Sequence, residues 1–283
     1  MGYTLRKSIV LEGIGIHSGK RVCLKLLPSA KGGIVFSVPS EQATIPLRLS
    51  RVNPQNLGTN IIQGKTVIRT IEHVMAVLWA FKLTDLVLEV EGGEIPIVDG
   101  SGLPIWEAIR TAGRQRTMTD ANVLVVRKPV YLFEGETFLI AFPAKSLNIT
   151  YTISFPQNPI KTQTMLFKKS SDFESQILRA RTFGNVEDVE ALHAAGRALG
   201  ASMDNVLAYN SSGYVTPPRF EDEAVRHKIL DLLGDLYASG YFVQGLLIAY
   251  KTSHRFNHVF VRKLVSQFAG KLKSPVHEEY KNP

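Results

Sequence analysis

The chain has 283 residues, 45% of them hydrophobic and 20% charged, with one cysteine and a formal net charge of +8. That composition excludes long disorder, and the length suits two compact cores better than one. Cys23 has no partner for an internal disulfide, and no apolar run approaches the roughly 20 residues that span a bilayer.

The N-terminus lacks the apolar core and small-residue cleavage site of a secretory signal, so a cytoplasmic location is expected. The positive charge would suit nucleic acid, an anionic membrane surface or an anionic small molecule. Lys and Arg are scattered, however, with the densest run at 110–116, rather than clustered among aromatics as in a nucleic-acid binder.

In chain order, residues 8–13 and 22–27 read as strands joined by a glycine-rich turn that carries His17. On the residues alone, His17 is a turn residue that hydrogen-bonds the backbone. Residues 34–38 read as another strand. A helical pattern then starts with Thr70 at the N-cap position and Glu72 and His73 in its first turn. Residues 86–90 and 95–98 follow as strands, and the turn at 99–102 leads into a helix that has Pro104 near its first position and ends about Gly113. The polar stretch 114–122 reads as a linker, dividing the chain into 1–118 and 119–283.

The second half opens with strands at 123–126, 130–133, 137–142 and 147–153. Ser171-Asp172-Phe173-Glu174 has capping-box spacing, a helix-like segment spans 186–195, and a strand spans 206–209. The helix at 224–237 precedes a buried strand at 243–250, which delivers His254 on a loop before a final helix over 257–271 and a polar tail. Both halves alternate strands and helices without repeating sequence. The expected fold is therefore α+β, with two similar domains of mainly antiparallel sheet packed with helices and an active site between them.

The helix at 224–237 carries the chemistry. Val225, Ile229, Leu232, Leu233 and Leu236 form an apolar face, while His227, Asp231 and Asp235 recur every four residues. Neighbours in that stripe lie about 6 Å apart along the axis, so His227 and Asp231 can reach one ion. Imidazole with carboxylate suits a borderline divalent metal such as zinc. Two such residues alone are more simply a solvated helix face. His73 offers a third ligand, leaving a coordination position for water, and its neighbour Glu72 is a base for that water.

Six segments in order, Gly15-Ile16-His17-Ser18-Gly19, Thr70-Ile71-Glu72-His73, 94–101, Ala180-Arg181-Thr182-Phe183, 225–236 and His254-Arg255-Phe256-Asn257, resemble the UDP-3-O-acyl-N-acetylglucosamine deacetylase family over residues 5–265. The resemblance implies a zinc amidohydrolase, with iron as an alternative metal, that removes the N-acetyl group at the committed step of lipid A synthesis. It implies His73, His227 and Asp231 as metal ligands and Glu72 as base. His254 would be the acid, oriented by Asp235, and Thr182 an oxyanion donor.

By the same resemblance Lys228, Phe183 and His17 face the substrate, and the acyl chain lies along 186–199. The implied partner is a nucleotide-sugar lipid precursor met by a monomer, with no nucleic acid and at most transient membrane-surface contact. Ser253 and Arg255 stand where the family has glycine and a small residue. Serine is expected to restrict the backbone beside His254, and Arg255 to oppose its imidazolium and lower its pKa. A binding-only relative and a basic nucleic-acid-binding protein are the competing readings. Neither needs Glu72, His73, His227, Asp231 and Asp235 together.

Overall fold

Side chains alternate between buried and partly exposed along Arg21–Pro28 and Leu86–Glu91, so Leu24, Leu26, Leu88 and Val90 share one covered face. In the computed structural model, which describes residues 1–55, 57–168 and 170–268, these strands belong to a five-stranded sheet. Its order is Ile9–Ile14, Arg21–Pro28, Leu86–Glu91, Ile34–Val38, Ala43–Pro46. Leu86–Glu91 is antiparallel to the second strand and parallel to the fourth.

A second sheet repeats that plan with Val130–Glu134, Thr137–Phe142, Leu246–Tyr250, Asn148–Phe155 and Lys161–Phe167. Its central strand is again antiparallel to one neighbour and parallel to the other. In both halves the central strand is formed last, after a small inserted sheet and a long helix, and another helix follows it.

The first insert is Val52–Gln55, Gly58–Gln63 and Thr66–Ile68; the second is Phe183–Asn185, Leu207–Asn210 and Gly213–Tyr214. The helices are α1 (Glu72–Phe81), α2 (Leu103–Ala112), the short α3 (Phe173–Gln176) and α4 (Val189–Ala194), α5 (Glu223–Tyr237) and α6 (His254–Phe268). The fold is α+β, as expected, and the internal repeat is one of topology. Among the described residues no helix is long and apolar enough to cross a membrane.

Several elements differ from the sequence reading for local reasons. Residues 95–98 form no strand; only Glu94 bridges to Arg69, because Pro96 has no N–H to give and Val98 turns to φ 52°. Arg114–Arg116 is not linker but a strand paired with Tyr3–Leu5. Thr70 does not cap α1: the N-cap is Ile71, without a side-chain bond. Asp172 likewise makes no side-chain cap, and α3 is a single turn. The last helix starts at His254 rather than 257, and its expected end and tail at 269–283 lie outside the described residues.

From Val74 to Trp79 α1 is apolar and buried on every side, the pattern of a helix inside a core. It packs along α5, and the two backbones almost touch. A Cβ added at Gly234 of α5 would lie 2.0 Å from the Glu72 carbonyl oxygen. One apolar cluster, running from Leu5 to Leu264, joins the two halves through this pair. Gly234→Ala is expected to cost about 3 kcal/mol by forcing the helices apart, read as a lower midpoint of denaturant unfolding.

Candidate active site

The polar stripe of α5 is buried, not solvated: His227, Asp231 and Asp235 are 2%, 4% and 0% exposed. A carboxylate so placed needs partners. Asp231 Oδ2 accepts a bond from the Lys228 ammonium at 2.9 Å, but its Oδ1 has no hydrogen-bond donor. That oxygen faces two imidazole nitrogens, His227 Nε2 at 3.2 Å and His73 Nε2 at 3.6 Å.

The two rings meet edge to face at 83°, centroids 4.9 Å apart, and the three donor atoms lie within 4.8 Å of one another. His227 Nδ1–H donates to the Ala180 carbonyl at 3.0 Å, leaving Nε2 as a lone pair aimed at the same point. Burial lowers the His73 pKa. Two imidazole nitrogens and an orphaned carboxylate oxygen converging in a buried site fit a divalent metal ion.

Glu72 lies beside this group, its carboxyl pushed up to about 7 by burial, with Asp231 and Asp235 adding to the shift and His254 opposing it. The Thr59 amide holds Glu72 Oε2 at 2.9 Å, and Oε1 lies 4.0 Å from His254 Nε2. His254 is the first residue of α6. Ser253 precedes it as a cap, its Oγ accepting from the Phe256 amide at 3.3 Å. The serine therefore fixes the backbone at His254.

Arg255 points away, 61% exposed, and pairs with Glu134. The expectation of a depressed imidazole is thus reversed: burial alone would lower it, but Asp235, Asp231 and Glu72 raise His254 to about 9. Its Nδ1 bonds Asp235 Oδ2 at 2.9 Å, and its Nε2 lies 3.7 Å from Asp231 Oδ2. Burial would raise Asp235 too, yet its two histidine neighbours hold it below the usual carboxylate range. Between pH 7 and 9 the structure thus keeps the Glu72 carboxylate and the His254 imidazolium side by side, both charged.

A cavity of about 50 Å³ opens on Glu72, His73, Thr182, His227, Asp231 and His254, with His17 and Leu57 at one side. It has room for one or two waters at about 30 Å³ each, or a small acyl group, so the body of any larger substrate lies outside. A wider trough of about 640 Å³ runs past Glu12, Arg21 and Glu91; volume favours it, but the converging donors favour the small cavity.

Thr182 is half-buried on the cavity wall. Its segment is tied to α5 by Glu223, which accepts from the Arg181 amide and guanidinium at 2.9 to 3.2 Å. Phe183 meets the His227 ring edge-on at 6.4 Å. Lys228 is half-buried beside Asp231, outside the cavity lining. His17 both lines the cavity and bonds the backbone: Nδ1 accepts from the Ala198 amide at 3.4 Å and Nε2–H donates to the Leu57 carbonyl at 2.9 Å. Burial lowers its pKa.

Sequence reasoning assigned no role to Glu94, which is fully buried. It accepts from the His17 and Ser18 amides at 2.9 Å and from the Thr70 hydroxyl at 3.1 Å, joining the His17 turn to the start of α1. Thr70 is held there at φ 58°, which costs a β-branched residue about 1–3 kcal/mol.

A buried metal-type donor set with a carboxyl group and an imidazolium around one small cavity is the constellation of a metal-assisted hydrolase. Comparison with known proteins narrows it. The profile of the UDP-3-O-acyl N-acetylglycosamine deacetylase family matches residues 2–266, and the chain belongs to that family. It is 37% identical over 273 residues to the UDP-3-O-acyl-N-acetylglucosamine deacetylase of Leptospira biflexa serovar Patoc, covering 94% of this chain and 90% of that protein.

Proteins of the same name from Geotalea uraniireducens and Myxococcus xanthus are 38% and 39% identical. Each match covers 93% of this chain, with 88% and 86% of the relatives spanned. In the metal-free protein, NMR is expected to show His254 titrating near pH 9, and Asp235→Asn to bring it down, because the neutral amide cannot hold the imidazolium.

Proposed function

We propose that this protein hydrolyses the N-acetyl group of UDP-3-O-acyl-N-acetylglucosamine, giving acetate and the free amine, the committed step of lipid A synthesis. The observation that carries the reading is the orphaned Asp231 Oδ1 facing His73 and His227 beside Glu72 and His254. His73, His227 and Asp231 would hold the ion; their nitrogen and oxygen donors favour zinc, with iron(II) as the alternative. When bound, the metal supplies Lewis acidity, lowering the pKa of water and polarising the acetyl carbonyl.

The protein's own groups do the rest. Glu72 takes the proton from the attacking water, and the Thr182 hydroxyl donates to the oxygen that becomes negative. His254 gives its Nε2 proton to the departing nitrogen, which is otherwise a poor leaving group, while Asp235 on Nδ1 keeps the ring charged and turned toward the cavity. Phe183 packs on the sugar, His17 lines the substrate side, and Lys228 neutralises Asp231 while facing the glucosamine and nucleotide. The acyl chain follows 186–199.

We divide the chain at 1–118 and 119–283, on the support that Arg114–Arg116 closes onto Tyr3–Leu5 while Val123–Val125 pairs with Phe242–Gln244. We place the protein in the cytoplasm as a monomer that meets the membrane surface transiently to collect its lipid precursor.

Purified protein is expected to release acetate from the nucleotide sugar, to lose that activity on chelation and to regain it with zinc; folded, metal-loaded protein that releases none would overturn the reading. Glu72→Gln should lower kcat about a hundredfold or more with metal content unchanged, measured by acetate release and metal analysis. Glu72 must be ionised to accept a proton, so kcat/KM should fall as pH drops through about 7. His254 must be charged to give one, so it should fall again above about 9, a bell measurable by initial rates.

A further inference from the structure

Asp235 is where the first insert reaches the second half's chemistry. Its carboxylate accepts from four side chains: Thr59 Oγ1–H at 2.6 Å, His254 Nδ1–H at 2.9 Å, Asn257 Nδ2–H at 2.8 Å and His258 Nε2–H at 3.2 Å. Thr59, Asn257 and His258 are all fully buried. Four donors use every lone-pair site of a carboxylate, so Asp235 can neither rotate nor bind water.

Thr59 differs from the other three because it also holds the opposite partner. Its amide donates to Glu72 Oε2 at 2.9 Å. One residue therefore grips the carboxylate beside the cavity through its backbone, and the carboxylate behind His254 through its side chain. His258 sets the direction of that grip. Its Nε2 lies 3.0 Å from Thr59 Oγ1 as well as 3.2 Å from Asp235 Oδ1, so Nε2 carries the hydrogen and occupies the threonine lone pair. The hydroxyl proton is left pointing at Asp235.

We infer that Thr59 is a positioning residue that fixes the distance between Glu72 and His254 by bonding Glu72 with its amide and Asp235 with its hydroxyl, and that His258 orients the hydroxyl. This rests on the proposed deacetylation for its kinetic consequence, but not for the geometry. Without the hydroxyl, Asp235 keeps a bare buried lone pair and the freedom to turn, and the imidazole turns with it. A shift of a fraction of an ångström between acid and base is enough to slow the reaction.

The test compares Thr59→Val, which keeps size and amide but removes the hydroxyl, with Thr59→Ser, which keeps the hydroxyl. Thr59→Val is expected to lower kcat about tenfold or more, with KM within about twofold and metal content unchanged, since the lost bond goes to a charged group. Thr59→Ser should retain most of kcat. In an Asp235→Ala background, which has no side-chain acceptor, Thr59→Val should change kcat less than about twofold, because its target is already gone. Additive losses in that background, or a serine variant as slow as the valine, would overturn the inference and leave Thr59 as core packing.

A second readout needs no turnover. In the metal-free protein the His254 Nδ1–H resonance should persist in wild type and Thr59→Ser and broaden by exchange with water in Thr59→Val. The same resonance in all three contradicts the inference whether or not acetate is released. A wild type that keeps the valine-sensitive resonance yet releases no acetate removes the proposed reaction and leaves the clamp standing.

Discussion

Everything in this site depends on how closely α1 and α5 approach. Gly234 lies against the Glu72 carbonyl, where even a methyl group would come within 2.0 Å of backbone oxygen. At that separation the first turn of α1 and the middle turns of α5 share one space. Glu72 and His73 come from one helix, and His227, Asp231 and Asp235 from the other. Because both halves are built on the same strand order, the two helices occupy equivalent places in their own halves. His73, His227 and Asp231 are thus brought together where the two halves of a repeated fold meet, beside α6 and the two inserts.

The second constraint is charge. Glu72, Asp231 and Asp235 are all at most 4% exposed, and three unpaired carboxylates could not stay ionised there. Lys228 and His254 supply positive charge, and further donors from Thr59, Asn257 and His258 complete Asp235. Asp231 Oδ1 is left with no donor, a debt that a cation among His73, His227 and Asp231 would settle. The same crowding raises Glu72 toward neutrality while keeping His254 charged.

The helical stripe was legible because His227, Asp231 and Asp235 recur at spacing four beside an apolar face, and the all-apolar run after His73 marks α1 as a core helix. The topological repeat was legible only as an alternation of strands and helices, since no residue pattern repeats. Boundaries failed where one residue overrides the period. Pro96 and the left-handed Val98 end a strand-like run. Ser253 turns a loop-like sequence into the cap of α6, which puts His254 on the helix and sends Arg255 outward. Glu94, Thr59 and His258 carry no local signal, because each acts on partners 13 to 199 residues away. Their meaning exists only after folding.

The proposed metal site, flanked by Glu72 and His254, lies where the two equivalent helices cross. Anomalous X-ray scattering at the zinc edge from zinc-loaded crystals tests it most directly. The account predicts a single strong peak about 2 Å from His73 Nε2, His227 Nε2 and Asp231 Oδ1 together. A peak elsewhere, or one that leaves Asp231 Oδ1 still without a partner, would contradict it.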